Sequence, residues 1–207
     1  MNFSAADLVK RSASQILYFH LRKIQSAPTK GQLEGDNYAK KVAKATKGSS
    51  EEKRGVFKFN KGKDIIFFCN DLFIKKDKLF VEVKHIDNSK PLEPWYLNSS
   101  LLQAIFYTTM LKRVSILSTP TFRLKEGYKQ EIIPVPKNYK YQLWFGERTF
   151  EVQPCQKVLD FYLKKARVIA SLDYEKTRAF DKINKFKEFD KLSKHLEFDE
   201  LSEALYF

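Results

Sequence analysis

Cysteine is scarce in this chain: Cys69 and Cys155 are the only two among 207 residues. They form no CxxC pair for a metal and no disulfide framework, so a reducing compartment, the cytoplasm, is the expected setting. Long apolar runs are missing as well. None reaches the length of a membrane span, and no membrane partner is expected. The N-terminus lacks the apolar core and small-residue cleavage site of a secretory signal. Glycine and proline number seven each, and there is no internal repeat or low-complexity segment. His20 and His195 each stand alone in a helical pattern, and neither is assigned any chemistry.

What is present is apolar bulk and positive charge. With 43% hydrophobic and 14% aromatic residues, the chain can build a proper core, and its length fits a single domain over 1–207. The formal net charge is +13 and is unevenly spread. Residues 1–63 hold fourteen Lys/Arg against five Asp/Glu, whereas residues 164–207 hold ten against nine. A basic surplus confined to one third of a chain points to a surface that meets a polyanion, most often nucleic acid.

Periodicity predicts a helix over Phe3–Gln25, with Ser4 as its cap and Asp7 three positions on, an acidic variant of the capping box. Pro28 and Gly31 break it. A second helix is expected over Gln32–Lys44, with Leu33, Tyr38, Val42 and Ala43 inward. Lys47–Arg54 reads as a polar loop and Val56–Phe59 as a short strand. Further helices are expected over Leu97–Val114, from Pro154 to Ile169, and over 174–195. Tyr141–Phe145 and Thr149–Val152 read as a hairpin around Gly146. Strands alternating with helices give an α/β fold, with a small mixed central sheet flanked by helices on both faces.

The chemistry concentrates in Asp64–Asp87. Two apolar strands fold back on a charged turn, Lys75-Lys76-Asp77-Lys78. Centring that turn between Lys76 and Asp77 sets Phe73 opposite Phe80 and Asp71 opposite Glu82. Side chains alternate between faces, so Lys84 shares the face of both acids. Phe67, Cys69 and Phe73 are expected on that face too, and Phe68, Leu72, Ile74, Val81 and Val83 on the other. A sheet apolar on both sides is covered on both sides, and charges buried in it must be paired or hold a metal. Directly opposed carboxylates, with Cβ atoms about 5 Å apart, can share one hard cation. A salt bridge from Lys84 to Glu82 or Asp71 satisfies the same pattern. Farther on, Gln103 and Tyr107 are four residues apart and share one helix face.

A helix with an acid, a strand, a hairpin with Asp and Glu-x-Lys, then a helix with Gln and Tyr: this order resembles the PD-(D/E)XK nuclease superfamily. It is most similar to the RecB-type and lambda-exonuclease-like branches. The resemblance covers about residues 30–170, with the helices at 3–25 and 174–195 as additions to a restriction-endonuclease-like core. Asp71 matches the metal-binding aspartate of the family, Glu82 its second acid and Lys84 its lysine. Gln103-Ala104-Ile105-Phe106-Tyr107 looks like the QxxxY motif of the RecB branch. Glu34 is the candidate for the acid of the preceding helix, although Gly35 is followed four residues on by Ala39 and not by the histidine of that motif. Members with an iron–sulfur cluster carry four cysteines, so none is expected here.

The resemblance implies hydrolysis of DNA phosphodiester bonds with Mg2+ or Mn2+, in end processing, recombination or repair, by an exonuclease rather than an endonuclease. Asp71, Glu82 and the backbone carbonyl of Val83 are the expected metal ligands, with Glu34 as a further acid. Lys84 is expected to orient or deprotonate the attacking water and to stabilise the transition state. Gln103 and Tyr107 are assigned supporting roles. Lys40, Lys41 and Lys44 are expected to contact flanking phosphates. The alternative is a catalytically silent nucleic-acid-binding module on the same fold.

Overall fold

A computed structural model describes residues 1–12, 15–16, 30–86, 94–119 and 131–171. Its backbone is organised on strand β3, Asp64–Ile74. This eleven-residue run, DIIFFCNDLFI, is apolar on both sides and needs neighbours on both edges and cover on both faces. Strand β2, Ser49–Phe59, pairs antiparallel with it from Phe59↔Asp64 to Ser49↔Ile74. Two strands share the other edge. β1, Asn2–Ser4, runs parallel to it at Ile65–Phe67, and β4, Leu79–Lys84, runs antiparallel at Leu72–Ile74. Between them, from Phe68 to Asp71, no strand among the described residues pairs with this edge of β3.

The remaining strands extend this mixed sheet. β5 (Ile116–Ser118) joins β2 and carries β6 (Ile132–Pro134) outside it. β7 (Lys140–Phe145) lies parallel to β4 and turns through Gly146, at φ +60°, into β8 (Arg148–Glu151). The order is β6-β5-β2-β3-β4-β7-β8, with β1 on the free part of β3. The expected α/β architecture is present, with a larger sheet than the sequence suggests.

Four helices cover the sheet among the described residues. α1 (Ala5–Lys10), α3 (Pro94–Leu111) and α4 (Gln156–Ala170) share one core with Ile66, Phe68, Phe73, Phe80 and Leu143. α2 (Lys30–Ala45) lays Tyr38, Ala39, Val42 and Ala43 on the opposite face, against Leu72, Ile74, Val81 and Val83. α3 is buried all round from Ser100 to Leu111, because the sheet lies under it and α1 and α4 pack against it. Its end is tied down by side chains: Tyr139 donates to the Thr108 carbonyl at 2.8 Å, and Thr109 accepts from the Cys155 amide at 2.9 Å.

Two segments depart from expectation for a physical reason. Asn2–Ser4 is strand, not helix; Ser4 still caps, accepting from the Asp7 amide, but the helix begins after it. Pairing with β3 takes the residues that local periodicity would place in a first turn. Ser49–Arg54, polar enough to read as loop, extends β2 because β3 offers it a full ladder. Lys53 is buried there and ion-paired to Glu131. The expected helix over 174–195, and residues 13–14 and 17–25 of the one over Phe3–Gln25, lie outside the described residues.

Gly55 shows how tightly β2 and β3 fit. A Cβ at this position would stand 2.2 Å from Cζ of Phe68, a ring that is itself fully buried. Gly55→Ala should therefore destabilise the fold by about 1–3 kcal/mol, the usual cost of overpacking. Chemical denaturation of both proteins measures it, and an unchanged midpoint would mean that the Phe68 ring has room to move.

Candidate active site

The hairpin forms in the expected register for three pairs, Ile74↔Leu79, Phe73↔Phe80 and Leu72↔Val81. The Phe73 and Phe80 rings stack with centroids 4.5 Å apart. At the next step the strands diverge, so Asp71 and Glu82 are not ladder partners as expected. On its other edge β4 stays paired to β7, Glu82 with Leu143, Val83 with Trp144 and Lys84 with Phe145. Asp71 fills the gap with its side chain: the Val83 amide donates to Asp71 Oδ2 at 2.7 Å. The carbonyl of a strand residue lies on the same edge as its amide. The Val83 carbonyl thus lies on the Asp71 side.

The face alternation along β3 breaks at the same place. Ile66 and Phe68 belong to the core under α3 together with Phe73, but Leu72 and Ile74 belong to the core under α2. Phe68, expected on the far face, stands 5.7 Å from the Tyr107 ring. The strand changes faces between Phe68 and Leu72, where Asp71 leaves the ladder.

Glu82 is the centre of the cluster. It is 2% exposed, and its Oε1 accepts from Lys84 Nζ and from Gln103 Nε2, the latter at 2.6 Å. Gln103 Nε2 also donates to the Tyr107 hydroxyl at 3.0 Å. The four-residue spacing thus brings Gln103 and Tyr107 together on the site side of α3, as expected. Glu82 Oε2 is buried and has no hydrogen-bond partner among the described residues, and neither has Gln103 Oε1. Unsatisfied buried acceptors are uncommon in native proteins.

The charges set the protonation states. Burial alone would lower the pKa of Lys84, but the Glu82 and Asp71 carboxylates outweigh it and hold the pKa above the ordinary lysine value. Lys84 is a cation in this arrangement, not a base. Burial, reinforced by Glu82 and Asp71, pushes the Tyr107 hydroxyl well above its ordinary value, and the same causes act on Tyr141. Both phenols are neutral. Tyr96, whose hydroxyl donates to the His85 carbonyl at 3.3 Å, also has its pKa raised, by burial above all.

Other expected residues fall elsewhere. Glu34 is exposed on α2, and among the described residues no group of three His, Cys, Asp or Glu side chains could hold a metal. Lys40, Lys41 and Lys44 are exposed on the same helix, which packs on the opposite face of the sheet from α3. Residues that sequence reasoning missed include Tyr96, Tyr141 and Lys10, each within electrostatic reach of the acid pair. Nothing in the local pattern of Lys10 signals this, because α1 reaches the site only through the pairing of β1 with β3.

No protein-family model matches the chain, and no curated protein matches it. Among solved structures it is similar to the crystal structure of SSO0001, with a TM-score of 0.50 and 16% sequence identity. The likeness covers 84% of this chain and 79% of that one. At that identity it shows the fold alone: a mixed α/β sheet with flanking helices.

The two acids play unequal parts in stability. Glu82→Gln leaves the buried Lys84 ammonium without its ion-pair partner, which should cost about 3–5 kcal/mol. Asp71→Asn keeps an acceptor for the Val83 amide and removes one of two neighbouring negative charges, so its melting temperature should stay at or above that of the wild type. Thermal melts of the three proteins without added metal decide this. A large loss in Asp71→Asn with none in Glu82→Gln would reverse the assignment.

Proposed function

We propose that this chain is a metal-dependent nuclease that hydrolyses phosphodiester bonds of DNA, in the manner of the PD-(D/E)XK enzymes that its sequence resembles. The single observation that supports it best is the unpartnered Glu82 Oε2, buried on a carboxylate whose Oε1 meets the Lys84 ammonium, while Asp71 holds the amide of the next residue, Val83. An acceptor left open in a packed interior suits a cation that is not part of the chain. Magnesium typically takes one or two carboxylates and completes its shell with water and substrate phosphate, so two acids without a third fit it.

In this reading Asp71 and Glu82 would hold the metal, with the Val83 carbonyl on the same side as a further candidate ligand. Bound there, Mg2+ or Mn2+ would supply Lewis-acid activation of the phosphate and of water. Lys84, charged in the field of the acids, stabilises the negative charge that develops on the phosphate oxygens and orients the water. Gln103 holds Glu82 Oε1 in place, and Tyr107, neutral at all ordinary pH, holds Gln103. A catalytically silent DNA-binding module is the second reading. The direct Lys84–Glu82 ion pair favours it, since that contact neutralises the acid without any metal.

Incubation with linear and circular DNA plus manganese tests the proposal. Cleavage is expected, with linear DNA the better substrate, and chelation or Asp71→Asn should abolish it. Manganese should raise the melting temperature of the wild type, because it binds the native state selectively, and should do so much less for Asp71→Asn. DNA binding with neither cleavage nor a metal-dependent shift would select the silent module.

Gln103→Ala and Tyr107→Phe should retain the metal shift yet lose roughly ten- to a hundredfold in turnover, as expected when the support of a ligand is removed. Wild-type rates in both variants would reduce these residues to helix packing.

A further inference from the structure

We infer that Lys10 is a second phosphate-binding residue at this site, presented to the bound nucleic-acid strand by helix α1. This inference rests on the nuclease reading.

The placement follows from packing. β1 runs parallel to β3 and ends with Ser4 abreast of Phe67. α1 starts at the next residue and packs against both β3 and α3. Lys10 closes α1, near enough to the cluster that Lys84, Glu82 and Asp71 all act on its charge.

The turn that carries Lys10 is held from the far end of the chain. Lys165, 4% exposed on α4, donates from Nζ to the Leu8 carbonyl at 3.0 Å and to the Arg11 carbonyl at 2.7 Å. A buried ammonium on the last carbonyls of a helix stabilises that end, here on both sides of Lys10. Asp7 is engaged by Arg11 at 2.7 Å, one turn along the same helix. Lys10 itself has no hydrogen bond or ion pair among the described residues and is solvent-exposed as a residue. Protein atoms nevertheless crowd its charge: burial first, then repulsion from Lys84, lower its pKa from 10.5 to about 8, against the opposing pull of Glu82, Asp71 and Asp7. A cation fixed in such a place lacks an anion of its own. A backbone phosphate supplies one, and one lysine can serve it as a point charge.

Manganese-dependent cleavage of a labelled duplex oligonucleotide, followed across a range of salt concentrations, tests the inference. Lys10→Gln should fold like the wild type, raise KM several-fold and leave kcat nearly unchanged. The log–log salt dependence of kcat/KM should become shallower by about 0.9, the release expected for one phosphate contact on duplex DNA. Lys10→Arg should restore both. A Lys10→Gln protein with the KM and salt slope of the wild type overturns the inference while leaving the nuclease reading intact. A fall in kcat alone also overturns it, since that is not the signature of a phosphate held in the ground state. A wild type that cleaves nothing removes the nuclease reading and this inference with it.

Discussion

A carboxylate with almost no access to water constrains everything around it. Glu82 lies on β4 between two strands and under a helix, and burying its charge is costly unless hydrogen-bond donors meet it. Lys84 reaches it from the same strand and Gln103 from above. Gln103 can do so only if α3 lies close against the sheet with that face down. That closeness goes with the burial of α3 from Ser100 to Leu111, whose far end is pinned through Thr108 and Thr109 to residues near β7 and α4. The apolar packing of the helix and the polar order of the site are one arrangement. Loosening either loosens both.

The site was partly legible in the sequence because its parts obey short-range periods. A charged turn between two apolar strands fixes a register, and the pairs from Leu72 to Ile74 follow it. Four-residue spacing on a helix brings Gln103 to Tyr107. What failed was the extrapolation of the strand period past Leu72. There β3 and β4 part while β4 stays paired to β7 on its other edge, and the Asp71 side chain takes over a backbone role. The same limit applies to β2. Its N-terminal half is polar, and only the β3 edge, remote in sequence, makes it a strand. Lys10 was invisible for a stronger reason, because its position depends on a parallel pairing and on Lys165, 155 residues away.

The charge asymmetry of the sequence takes a different form in three dimensions. Among the described residues, basic side chains of the first third fall in different parts of the fold. Lys40, Lys41 and Lys44 lie on α2, across the sheet from α3 and Glu82. Lys53 is consumed by an ion pair with Glu131. Lys10 is within reach of the acids. Counting charges along a chain says that a polyanion is a fitting partner, but not which lysines would meet it.

The shared edge of β3 bears on how this protein can be dissected. β1 occupies only Asn2–Ser4, and in sequence it looks like an appendage ahead of the α/β core. Yet it covers the backbone groups of Ile65–Phe67 on a strand that is apolar on both sides. A shortened chain beginning at α2 would leave those groups facing outward, next to Ile65 and Ile66, as an open template for another strand. Such a fragment would be expected to self-associate through that edge, even though every residue of the acid cluster is still present.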